Sequence, residues 1–110
     1  MCEFKVLTEG GDQVLAEDII RTFYEGNVLK LTGIMGNVVQ VRDAIVSEVN
    51  VGKEELRVMR HPIIGAMLKF LEEFLKCQRE ATYDPLVEKY WGEVKSLGDH
   101  MIEKLKASRD

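Results

Sequence analysis

The sequence predicts an α+β protein: a small antiparallel SH3-like β-barrel over residues 1–60, then an antiparallel helical hairpin over residues 61–110. Three observations predict it. Before residue 60, short β-branched runs alternate with glycine turns. At Pro62 the apolar period changes from two to three-and-four. Asp84-Pro85 then interrupts the helical pattern and restarts it.

Taken in order, Phe4–Val6 places an aromatic and a β-branched residue either side of Lys5, a period of two, and Gly10-Gly11-Asp12 ends that strand as a flexible turn. Ile19–Tyr24 is the second run. Gly26-Asn27, a pair that tolerates positive φ, turns it into Val28, Leu29 and Leu31. Gly33 and Gly36-Asn37 bracket Ile34-Met35 before Val38–Val41. Ala44–Val51 is a longer run, and Gly52-Lys53 turns it back into Leu56–Val58. Five or six such strands make an antiparallel meander, which in fewer than 60 residues must close or curl to hide its edges.

Beyond Pro62, a residue suited to a first helical turn, Ile64, Met67, Leu68, Leu71, Phe74, Leu75 and Gln78 form one helical stripe. Glu72 and Lys76 pair four apart on the polar side. The helix ends near Ala81-Thr82. Asp84 is read as an N-cap with Pro85 at the first helical position. Leu86, Val87, Tyr90, Trp91, Val94, Leu97, Met101, Ile102 and Leu105 make the second stripe. A helix over 85–106 is roughly 33 Å long at 1.5 Å per residue, against about 25 Å for a barrel of this size. Two arrangements follow: the hairpin overhangs and a two-fold partner completes a four-helix bundle, or both stripes fold back on one barrel face. Homodimerisation is the expectation.

Composition limits the function classes. The chain has 45% hydrophobic and 31% charged residues, a globular mixture. No apolar run approaches the roughly 20 residues that cross a bilayer, and the N-terminus lacks the order of a signal peptide. A cytoplasmic protein without a membrane partner is expected. The net charge of −4 is spread, −3 over residues 1–60 and −1 over 61–110. This disfavours RNA, whose binding draws on a surplus of Lys and Arg.

No phosphate loop, nucleophile elbow, His-Glu-x-x-His or Cys-x-x-Cys is present, and the chain is read as a non-enzyme with no catalytic residues. His61 reads as a helix-start residue and His100 as a polar-face residue. Cys77 reads as a small apolar group, and Asp12, Glu17 and Asp18 as solvated turn acids. The five methionines read as core filler, and Tyr90 and Trp91 as packing residues. Cys2 stands apart. A thiolate so near the N-terminus has an amine or amide nitrogen beside it, a soft donor pair. One chain supplies two such donors; a two-fold pair supplies four, a set suited to square-planar Ni(II) or Cu(II) or to tetrahedral Zn(II). On residue chemistry alone Cys2 stays open between a ligand and an incidental residue.

Met1-Cys2-Glu3-Phe4-Lys5-Val6, Glu17-Asp18-Ile19, Leu29–Gly36 and Ile45–Asn50, in that order and spacing, resemble the CooT-like family of small proteins, named for a nickel-binding member of a carbon-monoxide-oxidation operon. The resemblance covers residues 1–58. It implies an SH3-like barrel, a homodimer, nickel bound through Cys2, and a nickel-enzyme maturation partner; members also carry a predicted RNA-binding label. Two departures stand out. About fifty helical residues follow where short members end, and Thr32-Gly33 occupies a place where an acidic residue after threonine is expected.

Overall fold

The computed structural model describes residues 3–108, and the chain divides into two units, Met1–His61 and Pro62–Asp110. The first unit is a six-stranded sheet: β1 (Phe4–Thr8), β2 (Val14–Glu25), β3 (Val28–Gly33), β4 (Val38–Arg42), β5 (Ala44–Asn50) and β6 (Glu55–Arg60). The second holds α1 (Pro62–Glu80) and α2 (Leu86–Ala107).

The strand order is β4-β3-β2-β1-β6-β5, and it is mixed. β1–β2, β2–β3, β3–β4 and β5–β6 are antiparallel, but β1 and β6 are parallel, with Lys5 opposite Glu55 and Thr8 opposite Val58. This corrects the purely antiparallel reading, and the reason is parity. A six-stranded meander reverses direction five times, which sets its last strand against its first. Here β4 passes into β5 through the single residue Asp43 without reversing, so β6 returns parallel to β1. Asp43 takes a left-handed backbone, φ 56°, and kinks the chain from one sheet edge to the other.

The two edge strands therefore meet end to end and the sheet curls. Tyr24 spans the curl: its hydroxyl donates to the Ala44 carbonyl (3.1 Å) and accepts from the Val46 N–H (3.2 Å). No ladder joins β4 to β5 among the described residues, so the sheet is curled and open, not the closed barrel expected. β2 is longer than its sequence signal. Val14–Ile19 pairs with β1 and Ile19–Glu25 with β3, the strand bending at Asp18, φ 56°. One strand thus serves two hairpins. The inner face gathers Val6, Ile19, Leu29, Leu31, Val41, Ala44, Leu56 and Val58 into a single core. In β3, Leu29, Leu31 and Gly33 alternate with less buried neighbours, the period of two that a one-sided sheet requires. A Cβ at Gly33 would collide with the Asn37 side chain, which would have to move aside to admit it.

In the helical unit the Asp84 carboxylate accepts the Leu86 N–H at 3.0 Å, the capping role expected of it. Ile63 lies against Gly98, Phe70 against Trp91 (ring centroids 5.3 Å) and Lys69 beside Glu93 (3.7 Å), so contacts advance along α1 as they recede along α2. The side of α1 facing α2 is thus the one bearing Ile63 and Phe70. Met67, Leu71, Phe74 and Leu75, the stripe most evident in the sequence, are exposed instead. The methionine reading is corrected too: Met35 lies on the β3–β4 turn and is 88% exposed, and Met59 and Met67 point outward. A turn between tightly hydrogen-bonded residues has no interior to fill, whatever its side chain. Among the described residues no helix is long and apolar enough to cross a membrane.

Candidate functional site

Cys2, the one predicted ligand, lies outside the described residues. Its covalent neighbour Glu3 is described, and so is the ground around it. The parallel pairing of β1 with β6 brings the start of β1 against the β5–β6 turn. There the Lys5 N–H donates to the Glu54 carbonyl at 2.9 Å, and the Glu3 N–H to the Glu54 carboxylate at 3.4 Å. The bend of β2 approaches the same place, with Phe4 opposite Ile19 and Lys5 3.9 Å from Glu17. These segments enclose an open recess of about 210 Å³. Five carboxylates line it, on Glu3, Glu17, Asp18, Glu54 and Glu55, with two ammonium groups, on Lys5 and Lys53. Two positive φ angles shape its walls, at Asp18 and Glu54 (53°). Aspartate suits such a position, since its short polar side chain tolerates the left-handed region better than most; Glu54 has no such advantage.

The structure thus unites Glu17 and Asp18 with Glu3, but not with Asp12, which stands apart in the β1–β2 loop. Sequence reasoning missed Glu54 and Glu55 because they sit some fifty residues from Glu3. Only the parallel β1–β6 ladder joins them. The available signal was an acidic pair directly after the Gly52-Lys53 turn.

Elsewhere the reactive residues are scattered. Cys77 is a free, half-buried thiol on α1, and His100 is exposed on α2. His61 precedes Pro62, its backbone N–H donating to the Asp43 carbonyl at 3.0 Å. Trp91 packs on Phe70, as a helical-stripe residue should. Among the described residues no group of three His, Cys, Asp or Glu is arranged to hold a metal ion. Burial pushes the Tyr24 phenol up, opposed by its bond from Val46. The hydrogen bond from Lys30, reinforced by that residue's charge, holds the Glu25 carboxyl down.

Chemically, the recess is a zone of negative potential built from hard oxygen donors. It attracts cations without supplying soft ligands; the nearest soft donor in the chain is the thiol of Cys2, one peptide bond from Glu3. Comparison with known proteins bears on this end of the molecule. No curated protein matches the chain. A family model described as CO dehydrogenase accessory protein CooT matches residues 1–62, the whole sheet unit and more than half of the sequence. The chain belongs to the CooT family.

Proposed function

We propose that this protein is a nickel-handling accessory protein for CO dehydrogenase, a homodimer that holds one Ni(II) between two Cys2 thiolates. The observation that carries the reading is the convergence of five carboxylic residues in one recess, among them Glu3, the residue bonded to Cys2. Cys2 supplies thiolate and amide nitrogen, donors that fit Ni(II) in a square-planar field. The carboxylates draw the cation in and favour its charge there without having to bind it directly. One chain offers two of the four donors, which is why the reading needs a two-fold partner. The family's description, CO dehydrogenase accessory protein, agrees with a role in metal supply.

The test is a titration of metal-free protein with Ni(II). Thiolate-to-nickel charge-transfer absorption should grow and saturate at one metal per two chains. Cys2→Ser should abolish the absorption and weaken binding by more than the roughly tenfold that even an outer-shell change costs, because the dimer loses both thiolates. Equal affinity in parent and Cys2→Ser sinks the proposal. Glu3→Gln with Glu54→Gln should keep the absorption band while slowing nickel capture at low ionic strength, since the carboxylates act through their field.

A further inference from the structure

We propose that the edge of β4 is a docking strand for an acidic, extended segment of a partner protein, which adds to the sheet beside it. This does not rest on nickel binding; it concerns the basic edge of the sheet and not the acidic recess at Glu3.

The sheet ends on two strands, β4 and β5, and they are not equally protected. The β5 ladder slips between Val46 and Glu48, a bulge beside a charged residue, which discourages a further strand. β4 instead runs in unbroken register along β3, from Thr32–Val38 to Val28–Arg42, with no bulge, proline or acid. The Gly33 N–H donates to the Asn37 carbonyl at 2.8 Å, which sets the alternation of the ladder. Val39 and Val41 therefore direct their main-chain groups at β3, and Val38, Gln40 and Arg42 direct theirs away from it. The Arg60 guanidinium donates to the Arg42 carbonyl at 3.4 Å. The outward N–H and C=O groups of Val38 and Gln40 have no ladder partner among the described residues, and they are what an incoming strand pairs with.

The side chains beside that edge are basic. Val39 packs on the core and Val41 is buried, so Val38, Gln40 and Arg42 lie on the outward face. Gln40 is opposite Lys30, and Lys30 is opposite Phe23, whose ring carries the Arg21 guanidinium 4.1 Å from its centroid. Residues 19–42 hold three basic side chains and one acidic, in a chain of net charge −4. The acid, Glu25, is bound by Lys30 at 2.7 Å. Arg42 is exposed, and no carboxylate pairs with it among the described residues. Toward the β3–β4 turn the edge becomes apolar, with Val38 52% and Met35 88% exposed.

Charge and backbone together select the occupant. A strand that alternates carboxylate and apolar side chains sets its carboxylates on the outward face beside Arg42 and Lys30, and its apolar side chains inward beside Val39. Nucleic acid fits less well. Stacking needs a free aromatic face, but Phe23 already carries Arg21, and Lys30 is held by Glu25. The net negative charge also repels a polyanion that runs past the patch.

The experiment is fluorescence anisotropy of a short fluorescein-labelled peptide of alternating Glu and Val, titrated with the full chain carrying Cys2→Ser, in EDTA. Saturable binding at one peptide per chain is expected. Arg42→Glu should weaken it at least about tenfold, through reversed charge at an exposed position. The same peptide N-methylated along its backbone keeps every side chain and should also lose at least about tenfold, because strand addition depends on main-chain hydrogen bonds; this arm needs no protein variant to fold. Lys89→Ala, exposed on α2, should leave the Kd unchanged. No saturation below about 1 mM, equal binding of the N-methylated peptide, or equal binding of a Lys/Val peptide would each overturn the inference. So would oligouridine binding in place of the peptide, which gives the face to nucleic acid. A chain that dimerises under these conditions and becomes monomeric on Gln40→Pro gives the edge to a second copy, and overturns it as well.

Discussion

Tyr24 shows how one side chain can hold a curled sheet. It stands near the end of β2, yet its hydroxyl satisfies a carbonyl and an N–H of β5, a strand at the far edge of the sheet. Both groups face the seam where β4 and β5 fail to pair. Tyr24→Phe should therefore lower unfolding free energy by about 1–2 kcal/mol, the usual cost of leaving such partners unmatched, measured by urea denaturation. Burial raises the phenol's pKa in the folded state, so the neutral form is the one the fold prefers. Its contribution is fully present below the ordinary value of 10.0 and is lost as pH rises through the raised folded value. The stability gap between parent and Tyr24→Phe should accordingly stay constant below 10.0, narrow between 10.0 and the raised folded value, and level off above it.

At the scale of elements, the deciding feature is the one-residue passage from β4 to β5. Asp43 pays the left-handed conformation that keeps the chain running in one direction while it changes edges, and its carbonyl is fixed by the His61 N–H. Glycine should replace it at a few tenths of a kcal/mol or with a slight gain, having no Cβ to strain. Asp43→Val should cost about 1–2 kcal/mol and lower the thermal midpoint by several degrees, because a β-branched residue is excluded from positive φ. Equal midpoints for the glycine and valine variants would show that the kink imposes no such constraint. Asp84 plays a plainer part at the start of α2, and Asp84→Ala should cost about 1 kcal/mol of helix stability through the lost bond to Leu86, read from the same thermal scans.

On the scale of the whole molecule, charge separates the readings. The recess at Glu3 sets five acidic residues against two lysines, a local excess of negative charge that attracts cations. A single-stranded RNA should accordingly show no anisotropy change with the protein at about 50 mM salt, where any phosphate-contacting surface would be strongest. Measurable binding that weakens steeply with added salt would redirect attention to the sheet surface. The family match is confined to residues 1–62, and the helical unit lies beyond it.

Much of this was legible from residues alone, for local reasons. Gly10-Gly11, Gly26-Asn27 and Gly36-Asn37 mark turns because their backbones need conformations other residues resist, and Asp84-Pro85 restarts a helix because one caps and the other lacks an N–H. The change of period at Pro62 divides strands from helices. Strand order was not legible in that way. Asp43 carries no glycine signal, so the unreversed step at β4–β5, and with it the parallel β1–β6 ladder, is set by how the sheet curls on its core. Val14–Asp18 reads as loop until β1 lies beside it. Glu54 and Glu55 become neighbours of Glu3 only through that ladder. In α1, both sides are apolar, so periodicity identified a helix but could not say which side α2 would take. The sequence by itself determined most of the strands, both helices and the family, because those depend on near neighbours or on residue identity. Tertiary structure decided which acids surround the first strand and which helical face is left open, because contacts between distant residues follow from sheet parity and packing that no short window contains.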